Sequence, residues 1–300
     1  TRLLEEVLKC LSGKLVKRMI KMTVTPLLVN EHVDAVMKRV IKSFNSEKLM
    51  DNISDLGMDS IETFLTADVD MMRQWTKQCP EKLQFTEFKD IYNKYFSNGA
   101  EKYVDKDYNA YKFLKSADIT VCPYCDDETL DVVWIKGKLK RTSEIDHFFP
   151  KSLYPALAMC FYNLIPSGQQ CNGLKMEHEI GTNPYEENIE HLTYLYPNLP
   201  VGVLMENVDE KDCKVLFHPK DGMIQNVEQL GLQQRYERYA PEVHKLLTNL
   251  QNFSEEKIEE LVRLGLGSRE KIISIYFGPQ DPKEKKNVLR QKMLKDLTGY

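Results

Sequence analysis

The sequence predicts an α+β fold: a mostly helical chain with a strand–strand–helix module at its centre. Three observations lead there. Apolar residues recur at helical spacing through residues 1–117 and again from Val227 onward. Between residues 118 and 183, β-branched and aromatic runs alternate with turn residues, the pattern of short strands. No internal repeat or low-complexity linker breaks the chain. The expected organisation is a helical N-terminal scaffold or docking region over 1–117, the central module over 118–183, and a mixed hairpin and helical region over 184–300.

In the first region Leu4, Val7, Leu8, Leu11 and Leu15 share one helical face, as do Val33, Met37, Val40 and Phe44. "VTPLLVNE" and "KQCPEKLQ" interrupt the helices. No chemistry is expected here: Cys10 and Cys79 read as plain thiols, His32 as a solvated residue near a helix start, and Trp75 as core. The character changes at residue 118. "LDVVWIKGKLKRTSEIDHFF" reads as a hairpin turning at Lys136-Gly137-Lys138, with Trp134 packing into a core. "FYNLIPS" reads as a further strand, and "SGQQCNGLKMEHE" as a turn opening a helix with Ser167 as N-cap. Further on, "VGVLMEN" and "CKVLFHP" are expected to pair as a hairpin, and the basic amphipathic "KEKKNVLRQKMLKD" ends the chain as a surface helix.

Composition narrows the function classes. With 42% hydrophobic and 29% charged residues the chain can bury an ordinary core. No apolar run approaches the roughly 20 residues of a membrane-spanning helix, and no secretory leader is visible. The chain starts at Thr1, so a segment ahead of it is expected to be missing. Seven thinly spread cysteines fit a reducing, cytoplasmic setting better than a disulfide scaffold. The net charge of −4 counts against nucleic-acid binding, which would then need a local basic face such as Lys136, Lys138, Lys140 and Arg141.

"VCPYCDD" supplies the first chemistry. Cys122 and Cys125 are either a redox dithiol or half of a metal clamp. A redox pair is stabilised at a helix N-terminus, whereas here "DDETLDVVWI" follows, acidic and then strand-like. The clamp reading is favoured, with Cys171 as third ligand of a structural Zn²⁺. In a paired knuckle a fourth cysteine would stand at position 168, which is Gly168. Cys160, His178 or Cys213 could complete the set, or the thiols could cluster without metal.

The second chemistry lies in "EIDHFFPKS", "YNLIPS" and "CNGLK". Asp146 and Asn172 offer a carboxylate and an amide oxygen, hard ligands suited to Mg²⁺ or Mn²⁺. His147 can act as general base on water, and Asn163 can accept from its other ring N–H. A metal there would stabilise a departing 3′-oxygen. Lys151, Lys175 and Arg141 are candidates for phosphate contacts, and Glu144 shares the Asp146 strand face. His178 lies nearly two helical turns beyond Asn172 and points elsewhere; His191, His218 and His244 read as structural or exposed.

Together these residues resemble the HNH, or ββα-metal, endonuclease family. The resemblance rests on Asp146-His147, Asn163-Leu164 and the Cys171-Asn172-x-x-Lys175 helix, with the Cys122/Cys125 knuckle upstream. It implies metal-dependent phosphodiester hydrolysis, with double-stranded DNA as the expected substrate and 5′-phosphate and 3′-hydroxyl products. His147 would be the base, Asn163 its orienting partner, Asp146 and Asn172 the metal ligands, and the knuckle cysteines a zinc staple. "NPYEENIEHLTY" and "QNVEQLGLQQRYERY" are similar to the tail of a bacterial subgroup, some members of which act in phage defence beside an ATPase. Two alternatives stay open: a catalytically silent HNH-like module that binds a partner, and a thiol-disulfide oxidoreductase using Cys122 and Cys125.

Overall fold

A computed structural model describes residues 22, 25–97, 108–186, 192–200, 202–279 and 289–299. Its α+β class is as the sequence predicts: helices with three two-stranded antiparallel sheets. The chain divides into two compact units, one holding Lys21–Tyr124 and Glu128–Glu187, the other Cys125–Asp127 and Asn188–Tyr300. No helix among the described residues is long and apolar enough to cross a membrane.

The first unit opens with α1 (Pro26–Ser43), α2 (Ser46–Ser54), α3 (Ile61–Leu65) and α4 (Val69–Gln78). Next come α5 (Glu87–Ile91), running into a π-helical turn Tyr92–Phe96, and α6 (Ala110–Ala117). Their starts are encoded locally: Thr25, Asn45, Ser60, Asp68 and Asn109 each place a side-chain oxygen on a first-turn N–H. On α1 the buried stripe is Leu28, His32, Val33, Val36 and Val40. His32 is therefore not solvated, as its sequence position suggested. It is fully buried, with Nδ1 3.2 Å from the Tyr108 hydroxyl and Nε2 2.7 Å from the Met159 carbonyl. Trp75 is core, stacked on Phe64 at 5.4 Å with its indole N–H on the Leu56 carbonyl at 3.2 Å. The stripe proposed for Leu4 to Leu15, and Cys10, lie outside the described residues.

The hairpin of β1 (Val132–Ile135) and β2 (Lys138–Arg141) turns where expected. Lys136 and Gly137 have φ of 51° and 74°, the pair of positive values a tight two-residue hairpin requires. Trp134 corrects the expectation of a core residue: it is 69% exposed. A two-stranded ribbon has too little covered surface to enclose an indole.

Next, β3 (Ser143–His147) pairs antiparallel with β4 (Leu164–Gly168), placing Asp146 opposite Ile165 and His147 opposite Leu164. Helix α7 (Gln169–Lys175) follows β4 without a loop. Its N-cap is Gly168, because the strand runs one residue beyond Ser167. Ser167 is thus held in the sheet and does not cap the helix. Short 3-10 turns, Pro155–Met159 and Phe161–Asn163, carry the chain from β3 to β4.

In the second unit β6 (Val215–Pro219) falls within "CKVLFHP", but its partner is β5 (Thr193–Pro197), not "VGVLMEN". That segment turns instead, with Gly202 at φ 80° and a 3-10 turn at Met205–Asn207. The helices of this unit are α8 (Met223–Gln229), α9 (Leu232–Tyr236), α10 (Ala240–Asn252), α11 (Glu255–Arg263), α12 (Arg269–Phe277) and α13 (Gln291–Thr298). One core gathers Leu195, Val215, Tyr236, Val243, Met293 and Leu297. The basic C-terminal stretch is less of a free grip than its charge suggests. Lys292 is buried, paired with Asp296 and lying 5.2 Å over the Tyr194 ring. Residues 283–288 of that stretch, and His191, lie outside the described residues. Asp127 is held by Tyr239 at 2.5 Å, Arg290 at 3.0 Å and Arg238.

Candidate active site and metal clamp

Strand β3 delivers Asp146 and His147 side by side, and both are buried. His147 sits with Nε2 3.1 Å from the Ala158 carbonyl. A carbonyl can only accept, so Nε2 carries the proton and Nδ1 the lone pair. Nδ1 makes no hydrogen bond to a described residue. Tyr92 meets the imidazole edge-on, centroids 4.4 Å apart, and its hydroxyl donates to the Ile145 carbonyl at 3.3 Å. The helical N-terminal block is therefore one wall of the His147 pocket. Burial, with the Lys151 ammonium second, pushes the His147 pKa down to about 3, so the ring is neutral near pH 7. Lys151 is half-buried, its ammonium 5.0 Å from the Tyr92 ring centroid, and burial lowers its own pKa.

Asn163 does not orient the imidazole as expected. Its Oδ1 accepts from Phe149 N at 2.7 Å, and its Nδ2 donates to Phe149 O at 3.1 Å and Leu157 O at 2.9 Å. It clamps the loop between β3 and β4, and Ala158 on that loop takes the imidazole N–H instead.

Asp146 has both oxygens engaged. Lys175 Nζ lies 3.2 Å from Oδ1, and the Tyr124 hydroxyl donates to Oδ2 at 2.7 Å. Lys175 also donates to the His147 carbonyl at 2.7 Å and has no exposed surface. A phosphate contact from Lys175 is thus ruled out in this arrangement. Its four-carbon stem runs inward from the last turn of α7, where it is ion-paired with Asp146. Arg141 is likewise committed, 3.1 Å from Glu144 and 5.7 Å over the Tyr111 ring. Of the three proposed phosphate-binding residues, Lys151 alone stands beside His147 with part of its side chain exposed.

Asn172 occupies the first turns of α7, half-buried, and its side chain shares no hydrogen bond with Asp146. The oxygen donors are of the right chemistry for a hard cation. Asp146, however, is already balanced by the buried Lys175 ammonium.

A different cluster fits a metal better. Cys122, Cys125, Glu128 and Cys171 each bring one ligand atom, and these all lie within 4.8 Å of one another. Three thiols and a carboxylate are a donor set that Zn²⁺ takes tetrahedrally. The alternatives weighed for the fourth place lie elsewhere: Cys160 Sγ is 3.4 Å from Phe64 O, Cys213 Sγ is 3.8 Å from Asp209 O, and His178 is exposed. Glu128 was missed by sequence reasoning, although it stands three residues after Cys125, repeating the Cys122–Cys125 spacing. The same cluster speaks against a redox dithiol, since Cys122 and Cys125 are buried at 0% and 3% exposure.

Comparison with known proteins gives one local likeness: the chain is 36% identical over 63 residues to the Septu protein PtuB of Bacillus thuringiensis. That stretch is 21% of this chain and 22% of the relative, so the similarity is partial on both sides. No protein-family model matches the chain. No solved structure matches it either.

Proposed function

We propose that this chain is a nuclease that hydrolyses phosphodiester bonds in DNA and serves antiphage defence beside an ATPase partner. The observation that carries the reading is His147: a neutral, buried imidazole whose Nδ1 lone pair is left available at the end of a strand–strand–helix hairpin. The local likeness to a Septu protein is consistent with the defence role.

In this reading Nδ1 takes the proton of a water attacking phosphorus, and the Lys151 ammonium offsets the phosphate charge. A bound phosphodiester anion raises the imidazole pKa toward the working pH, offsetting the burial that depresses it in the free protein. Asn163 keeps the Ala158 carbonyl in place, which fixes the tautomer. Lys175 and Tyr124 fix Asp146 at the strand end. Dependence on an added divalent cation follows from the family resemblance. It requires Asp146 to be shared with the Lys175 ammonium.

That ammonium also favours the second reading, a silent HNH-like module, because it already neutralises the carboxylate. Incubating the purified chain with supercoiled plasmid in Mg²⁺, Mn²⁺ or EDTA separates the two. Cation-dependent nicking that ends in 3′-hydroxyl termini supports the nuclease. No cutting in any cation, with and without an ATPase partner, supports the silent module.

A further inference from the structure

Gly168 has no backbone reason to be glycine. Its φ of −67° and ψ of 153° are open to any L residue. What it provides is room. A Cβ built on Gly168 would lie 2.3 Å from the Glu128 Cδ and 2.4 and 2.5 Å from its two carboxylate oxygens. The Glu128 carboxylate therefore fills the space where a side chain at 168 would begin, and 168 is the position of the absent fourth cysteine.

We propose that Glu128 is the fourth ligand of a structural zinc site with Cys122, Cys125 and Cys171, and that Gly168 is small because Glu128 replaces a cysteine there. The inference rests on the reading of the Cys122/Cys125 knuckle as a metal clamp. The ligand atoms are already gathered within 4.8 Å. A carboxylate keeps the formal charge a fourth thiolate would supply, and oxygen is an accepted zinc donor. Each carboxylate oxygen also accepts one backbone N–H, Oε1 from Gln170 at 3.0 Å and Oε2 from Cys171 at 3.2 Å. An oxygen with two lone pairs can accept a hydrogen bond with one and ligate with the other. These bonds aim the carboxylate and tie the start of α7 to the clamp, as hydrogen bonds around a metal ligand commonly do.

The test is a ligand exchange read by metal content, chelator competition and the thiolate-to-metal charge-transfer band of the cobalt-substituted protein. Glu128→Gln keeps one of the two acceptor oxygens but removes the anionic ligand. It should weaken zinc binding at least about 100-fold, since even partners outside the ligand set are worth 10–100-fold. The double variant Glu128→Ala/Gly168→Cys should regain zinc and show a four-thiolate cobalt band where the parent shows three. If Glu128→Gln binds zinc as tightly as the parent, Glu128 only caps α7 and the proposal is overturned. If the parent itself takes up no zinc, the clamp reading beneath it fails as well.

Discussion

A lysine with no exposed surface must be held by its partners, and Lys175 has two, the Asp146 carboxylate and the His147 carbonyl. Removing one member of a buried ion pair strands the other, typically at about 3–5 kcal/mol. Lys175→Met should therefore lower unfolding free energy by that order in a urea titration, and Asp146→Asn placed on top should recover part of the loss. Tyr124→Phe takes away only the donor to Asp146 Oδ2, and about 1–3 kcal/mol is expected. Neither partner was legible beforehand. Lys175 was visible as a motif residue, but helical spacing does not say whether a long stem turns inward. Tyr124 lies between two cysteines, and its spacing says nothing of where its hydroxyl reaches. Glu128 lies in an acidic run whose sequence does not say which carboxylate turns toward the thiols. Asp146 and His147 were legible because strand neighbours next to a His-compatible motif imply a shared centre, whereas the role of Asn163 depended on a loop conformation that residue identity does not encode.

Among elements, α1 reaches the loop that holds the His147 tautomer, through His32 Nε2 on the Met159 carbonyl. Burial lowers the His32 pKa from 6.5 to about 4. In that window the unfolded chain binds a proton that the folded chain refuses, so stability is complete above pH 6.5 and falls as pH drops toward 4. At pH 5 the His32 share of the loss is about 2 kcal/mol. It should appear as a difference in urea midpoint between pH 7 and pH 5 that shrinks in His32→Gln. The β1–β2 hairpin behaves oppositely: Trp134→Ala should change stability by no more than about 0.5 kcal/mol, because the indole is mostly in water. The hairpin was readable from the Lys136-Gly137-Lys138 turn, and α1 from the apolar spacing of Val33, Met37 and Val40. The β5–β6 pairing was not, because "TYLYP" and "VGVLMEN" are both apolar and only Gly202 marks the second as a turn.

For the molecule as a whole, the net charge of −4 sets the terms of any encounter with DNA. Of the basic residues near the candidate site, Arg141 and Lys175 are paired internally, Lys151 is half-buried and hairpin lysines 136, 138 and 140 are exposed. The isolated chain should then bind duplex DNA no tighter than the ordinary non-specific range of about 10⁻⁴–10⁻⁶ M at physiological salt, as fluorescence anisotropy would read. Tighter binding would require a basic surface beyond these residues. The role of His147 is read from plasmid nicking by the parent and by His147→Gln. The glutamine can still donate to the Ala158 carbonyl but has no nitrogen to take a proton. Loss of nicking by about 100-fold or more, with an unchanged urea midpoint, is the expected result. Equal nicking by both proteins would contradict it and take the base away from His147.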